Sequence, residues 1–130
     1  MINAAIIGMG RWGQNLVNSV QGKSDVIRFS AGWNRTQEKA RAFADRHGIA
    51  LRDTYADVLA DSKIDAVVLA TPHSAHGEEI VAAAHAGKHV FCEKPLTLDH
   101  AGAKRAIDTC AKSKVTLAVG YNWRFQPALQ

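Results

Sequence analysis

The sequence predicts an α/β fold, a doubly wound parallel sheet with helices on both faces, and three observations carry that prediction. Short apolar runs alternate with helical patterns along the whole chain, as repeated βα units do. The strand-like runs are continuously apolar or small rather than alternating in and out, which fits strands covered on both sides. The first run ends in Gly8-Met9-Gly10-Arg11-Trp12-Gly13, and an amphipathic segment follows it at once.

Size and composition agree with one packed domain. A domain of 130 residues buries roughly two thirds of the surface its unfolded chain exposes. A hydrophobic fraction of 47% against a charged fraction of 22% lies far from the regime of disorder. Cys92 and Cys110 lack CxxC spacing and the density of a disulfide scaffold, so both read as free buried thiols. The apolar N-terminal run has no basic region before it and stops at Gly8, too short for a signal peptide or a membrane span; a cytoplasmic location is the default expectation. The net charge of +4 is spread among acidic residues without a basic face or interleaved aromatics, which argues against a nucleic-acid partner.

The strands are expected at Ala4-Ala5-Ile6-Ile7, from Val26 to Trp33, near Ile49 to Leu51, and at Ala66 to Ala70, His89 to Cys92 and Val115 to Val119. Helices are expected at about Trp12 to Val20, Thr36 to His47, Tyr55 to Ala60, Glu78 to Ala86 and Asp99 to Lys112. Thr36 and Asp99 are placed to cap helix starts, and Gly48 and Gly87 follow helix ends where a left-handed cap needs a residue without Cβ. One domain is read over residues 1–120, with residues 121–130 beginning a connection.

The glycine turn gains meaning from its context. It follows a strand, opens a helix, and begins a unit whose second strand ends about twenty residues later, as the dinucleotide-binding fingerprint of the Rossmann fold requires. The strand order expected for that fold is 3-2-1-4-5-6. Gly8 permits the tight turn, Gly10 lets the backbone approach a pyrophosphate, and Gly13 lets helix and strand pack closely. The helix start at Arg11 and Trp12 then offers free N–H groups and the positive end of its dipole.

The second strand ends in Trp33-Asn34-Arg35-Thr36, without the acidic residue that would bind an adenosine 2′-hydroxyl and repel a 2′-phosphate. Asn34, Arg35 and Thr36 can instead accept a phosphate, so NADP is favoured over NAD; the alternative is a solvated Arg35 and no preference. After the fourth strand, Thr71-Pro72-His73-Ser74-Ala75-His76 lies at the carboxyl edge where such sheets bind ligands. His73 and His76 lack a third ligand at suitable spacing, so no metal is expected, and His76 reads as a polar contact to the cofactor. The fifth strand runs into Glu93-Lys94-Pro95. A partly desolvated Lys94 beside a nicotinamide can hold a substrate oxygen and take part in proton transfer; the plain alternative is a surface lysine paired with Glu93.

Assembled, these residues resemble the N-terminal NAD(P)-binding domain of the Gfo/Idh/MocA oxidoreductases. The likeness spans nearly the whole chain and rests on IIGMGRWGQN, on ATPHSAHGEEIVAAAHAGKHVFCEKPLTLD and on VGYNWRFQP. It implies NAD(P)-dependent hydride transfer to or from a sugar, polyol or related carbonyl compound. It also implies that Lys94 contacts substrate and assists proton transfer, and that Glu93 and Pro95 shape the nicotinamide site. Thr71, Pro72 and His76 then run along the cofactor, and Asn122 and Arg124, also expected to bind it, lie on the segment leading towards a second domain, with Arg124 near the cofactor.

In that family a C-terminal domain supplies most of the substrate pocket, whereas this sequence stops at Gln130. The expectation is therefore a cofactor domain of a longer enzyme, binding the dinucleotide and inactive by itself. A non-catalytic dinucleotide-binding sensor or scaffold is the alternative, since fold does not fix function. Trp123, Phe125 and Leu129 mark a possible surface for association with a partner or a second copy, or else a disordered tail.

Overall fold

The computed structural model describes residues 1–129, with side chains to residue 128. Strands β1 (Ile2–Ile7), β2 (Ile27–Trp33), β3 (Ala50–Leu51), β4 (Ala66–Leu69), β5 (His89–Glu93) and β6 (Leu117–Gly120) form one sheet. They alternate with α1 (Arg11–Val20), α2 (Gln37–His47), α3 (Tyr55–Ala60), α4 (His76–His85) and α5 (His100–Lys112). The sheet order is β3-β2-β1-β4-β5-β6, every pair parallel, which is the expected doubly wound topology.

The continuous apolar runs are explained by what each face meets. Along β1, Ala4 and Ile6 turn into one core with Val17 of α1 and Ala40 and Phe43 of α2. Ala5 and Ile7 turn the other way, into a core with Val58 of α3, Ile80 of α4 and Cys110 of α5. Successive strand residues point to opposite faces, so a strand sandwiched between two helical layers has no position left for a polar side chain.

The helix ends follow their sequence signals with one exception. Asp99 accepts the Gly102 amide at 2.6 Å to start α5, and Gly48 closes α2 with φ 66° in the left-handed region. Thr36 precedes α2, but its side chain caps nothing; its carbonyl instead receives Asn34 Nδ2 at 2.7 Å. Helix α4 begins at His76, two residues earlier than expected, because a short 3-10 turn over His73–Ala75 leads straight into it.

The last strand departs from expectation. Val115 and Thr116 precede β6, Ala118 is exposed, and the other residues of the strand are half-buried. As the edge strand, β6 packs Leu117 against the α4–α5 side, while the described helices of the other layer lie over the opposite half of the sheet. Beyond Gly120 the chain forms two short 3-10 turns, Asn122–Phe125 and Pro127–Leu129.

Candidate dinucleotide site

Strands β1 and β4 are adjacent although five elements separate them in sequence, so the connections leave them in opposite directions. That divergence opens a crevice at their carboxyl ends, the switch point where such sheets bind ligands. The glycine turn sits at its mouth. Gly8 has φ +89°, and a Cβ there would lie 2.7 Å from the Ala70 carbonyl oxygen. A Cβ on Gly13 would lie 2.0 Å from the Gly8 carbonyl oxygen, so only a hydrogen fits between helix and strand. Gly10 is different: nothing stands within 4 Å of where its Cβ would be. Its side faces open space.

Helix α1 starts beside that space with no capping side chain and no acidic residue in its first turn. Its first amides have no partner within the helix and the positive end of its dipole is uncompensated, which suits a bound anion. The turn is braced from β2, where Asn34 Oδ1 accepts the Met9 amide at 2.8 Å. With its Nδ2 also engaged, the Asn34 amide holds backbone rather than standing free for a phosphate. That narrows its expected role.

Two depressions of about 490 Å³ each meet at Ala70 and Thr71. The first is lined by Gly8, Gly10, Trp33, Asn34, Arg35, Pro72, Ser74, Ala75 and Glu79. The second is lined by Trp12, His73, Glu93, Lys94, Asn122 and Trp123. Together they make an elongated, two-lobed trough with the glycine turn beside its middle, a shape and chemistry that fit a dinucleotide. Arg11, Thr36, Pro95 and Arg124 line neither lobe.

Two expectations are corrected. His76 is wholly buried and lines neither lobe; Nδ1 lies 2.7 Å from the Pro95 carbonyl oxygen and Nε2 3.1 Å from that of Thr71. Both nitrogens are spent inside the protein, so the ring is no cofactor contact. Lys94 lines the second lobe but is exposed rather than partly desolvated. Nor does it pair with Glu93: the ion pairs among the described residues are Arg52–Asp61, Lys104–Asp108 and Arg105–Glu78.

Glu79 was not anticipated. It lines the first lobe, and its Oε2 accepts the Thr71 hydroxyl at 2.5 Å. Burial raises its carboxyl above the usual value, while the Thr71 hydroxyl and nearby His76 partly offset that rise. The available signal was spacing: Glu79 falls one turn after His76 and beside Ile80, on the inward face of α4. Beneath the trough, burial pushes the Cys92 thiol up to about 12, aided by Glu79 and Glu93, and both cysteines are free and buried as expected. Among the described residues no group of three or more His, Cys, Asp or Glu is arranged to hold a metal, and no helix is long and apolar enough to cross a membrane.

Residues 2–121 match the family model of the Gfo/Idh/MocA oxidoreductases, an oxidoreductase family with an NAD-binding Rossmann fold. The chain belongs to that family. It is 38% identical to scyllo-inositol 2-dehydrogenase (NAD(+)) of Bacillus subtilis over 98% of its own length and 37% of the relative. Scyllo-inositol dehydrogenase from Lactobacillus casei, solved with NAD(H) and scyllo-inositol, superposes with TM-score 0.91 and 25% identity over 98% of this chain and 38% of that one. A 3-ketoreductase from Actinomadura kijaniata in complex with NADP superposes with TM-score 0.90 and 27% identity, over 98% of this chain and 41% of that one. The chain thus spans little more than a third of these relatives, and what it matches in them is the nicotinamide-dinucleotide domain of the family.

Proposed function

We propose that the trough holds NADP in preference to NAD, with the adenosine half in the lobe of Asn34 and Arg35 and the nicotinamide half in the lobe of Lys94. The observation that carries this is the glycine turn, whose one open position, Gly10, lines the first lobe while Trp12, two residues on, lines the second. The preference rests on Arg35, since the end of β2 has no carboxylate to repel a 2′-phosphate and the Asn34 amide is occupied by backbone. Arg35 is exposed on the rim of its lobe, where a guanidinium can meet a phosphate with two parallel N–H donors.

In the whole protein the reaction is oxidation of a sugar or polyol carbinol, or reduction of the matching carbonyl compound, as the names of the relatives describe for them. Bound, the dinucleotide supplies the hydride acceptor or donor. Lys94 holds the substrate oxygen and moves its proton, because hydride loss from a carbinol carbon must be matched by proton loss from its oxygen. Glu93, the preceding residue at the end of β5 and almost buried, shapes the same lobe. Alone, these residues bind the cofactor without turning over substrate, since one exposed lysine does not hold a polyol in near-attack geometry.

The test is a fluorescence titration with NADPH and NADH. Trp12 and Trp123 line the lobe assigned to the nicotinamide, so energy transfer from tryptophan to the reduced ring should accompany saturable binding. Folded protein that shows no saturable change with either cofactor would refute the assignment.

A further inference from the structure

His76 is the most deeply buried polar side chain among the described residues, and the two carbonyls it meets belong to two different loops. Thr71 lies in the wall shared by both lobes of the trough. The Pro95 carbonyl lies one residue past Lys94. The β4–β5 ladder ends at Leu69 and Cys92, so the strands no longer fix one loop against the other at that point. The imidazole takes over where the ladder stops.

Filling that space does not require a histidine. An apolar side chain of similar volume would pack there without the cost of burying two ring nitrogens, a cost recovered only if both find partners. Each lies within hydrogen-bond distance of a carbonyl oxygen, an acceptor to which a ring N–H donates, and the two carbonyls flank the two functional segments. Thr71 is held a second time by the same helix, through its hydroxyl on Glu79. Helix α4 is thereby a frame to which both loops are fastened.

We infer that His76 is a positioning residue that sets Lys94 at a fixed place relative to the cofactor-bearing turn at Thr71. Its functional meaning rests on the proposed cofactor reading, while its structural content does not. Without the ring, the loop of Lys94 keeps β5 and the packing of Leu96 on the core but loses its polar tie to the Thr71 turn. Lys94 then samples positions that are independent of what occupies the trough.

The test compares wild type, His76→Leu and His76→Gln by NMR, using ¹⁵N relaxation and lysines labelled by ¹³C-methylation. In the wild type the Lys94 and Leu96 amides should have order parameters near the rigid value of about 0.85, falling towards about 0.6 in folded His76→Leu. Order in β1 should stay unchanged. Saturating NADPH should shift the Lys94 methyl resonance in the wild type and leave it nearly unmoved in His76→Leu. His76→Gln, whose amide can still donate to one carbonyl, should fall between; if His76→Leu does not fold, the loss of loop order in His76→Gln decides the matter. Unchanged loop order and an unchanged Lys94 response in a folded variant would overturn the inference. Failure of the cofactor reading looks different: no wild-type resonance moves with either cofactor, and the relaxation comparison, made without cofactor, still settles the role of His76.

Discussion

Three glycines share one turn, yet each answers a different constraint, and substitution separates them. Gly13→Ala forces a Cβ to 2.0 Å from a backbone oxygen that cannot swing away, so the helix must move off the strand. The expected loss is about 2 kcal/mol or more of stability in urea unfolding. Gly10→Ala meets no protein atom, and its cost is that of alanine at a helix N-cap, about 1 kcal/mol. Cofactor affinity should nevertheless fall by about tenfold or more, because the added methyl points into the lobe where the proposed binding mode puts the pyrophosphate. Equal affinity in wild type and Gly10→Ala would move the pyrophosphate elsewhere. Glu79 makes a second prediction, through pH. Its folded carboxyl binds a proton more tightly than an unfolded one, so its contribution is complete below the usual carboxylate range and is lost as pH rises through the raised value. Urea unfolding across that window should show stability declining with pH from this group, and Glu79→Gln should remove that slope.

At the level of elements, the strands and helices were largely legible because a sheet covered on both sides leaves a long apolar record. The exceptions have physical reasons. Edge position, which no local pattern encodes, leaves Ala118 of β6 exposed. A 3-10 turn running into α4 hid the helix start, and with it the fact that His76 and Glu79 point inward. Polar residues on an inward face look like loop or surface until their partners are known, so the trough's glycines, Thr71 and Lys94 could be read from the chain while its supporting bonds could not. Lys88 is a similar case. It is nearly buried, and its ammonium donates to the carbonyls of Asp61 at 2.8 Å and Ile64 at 2.7 Å, tying the end of α3 to the approach to β4. Lys88→Met keeps the stem and removes the donors, leaving two carbonyls facing an apolar tip. A loss of about 2 kcal/mol is expected in urea unfolding; a change under about 0.5 kcal/mol, the range of an ordinary surface substitution, would show the ammonium to be dispensable.

For the whole molecule, the switch point makes cofactor binding and domain stability one quantity. The trough draws its walls from the ends of β1, β2, β4 and β5, so a ligand bound there is lost whenever the sheet comes apart. A ligand at a hundred times its Kd then adds about 2.7 kcal/mol to unfolding, equivalent to a rise in Tm of roughly 10 °C for a domain of this size. Because that gain depends on affinity alone, the difference between two cofactors at equal concentration measures their discrimination without any turnover. NADPH is expected to raise Tm more than NADH. The two differ at the 2′-position, and Arg35 is the cation at that rim while no carboxylate stands beside it. Arg35→Glu replaces the attracting charge with a repelling one that can also accept from a 2′-hydroxyl, so the order should invert, with NADPH losing about tenfold or more in affinity. Thermal unfolding of both proteins with each cofactor checks this. Equal shifts in the wild type would mean that Arg35 stays in solvent and that the end of β2 does not discriminate.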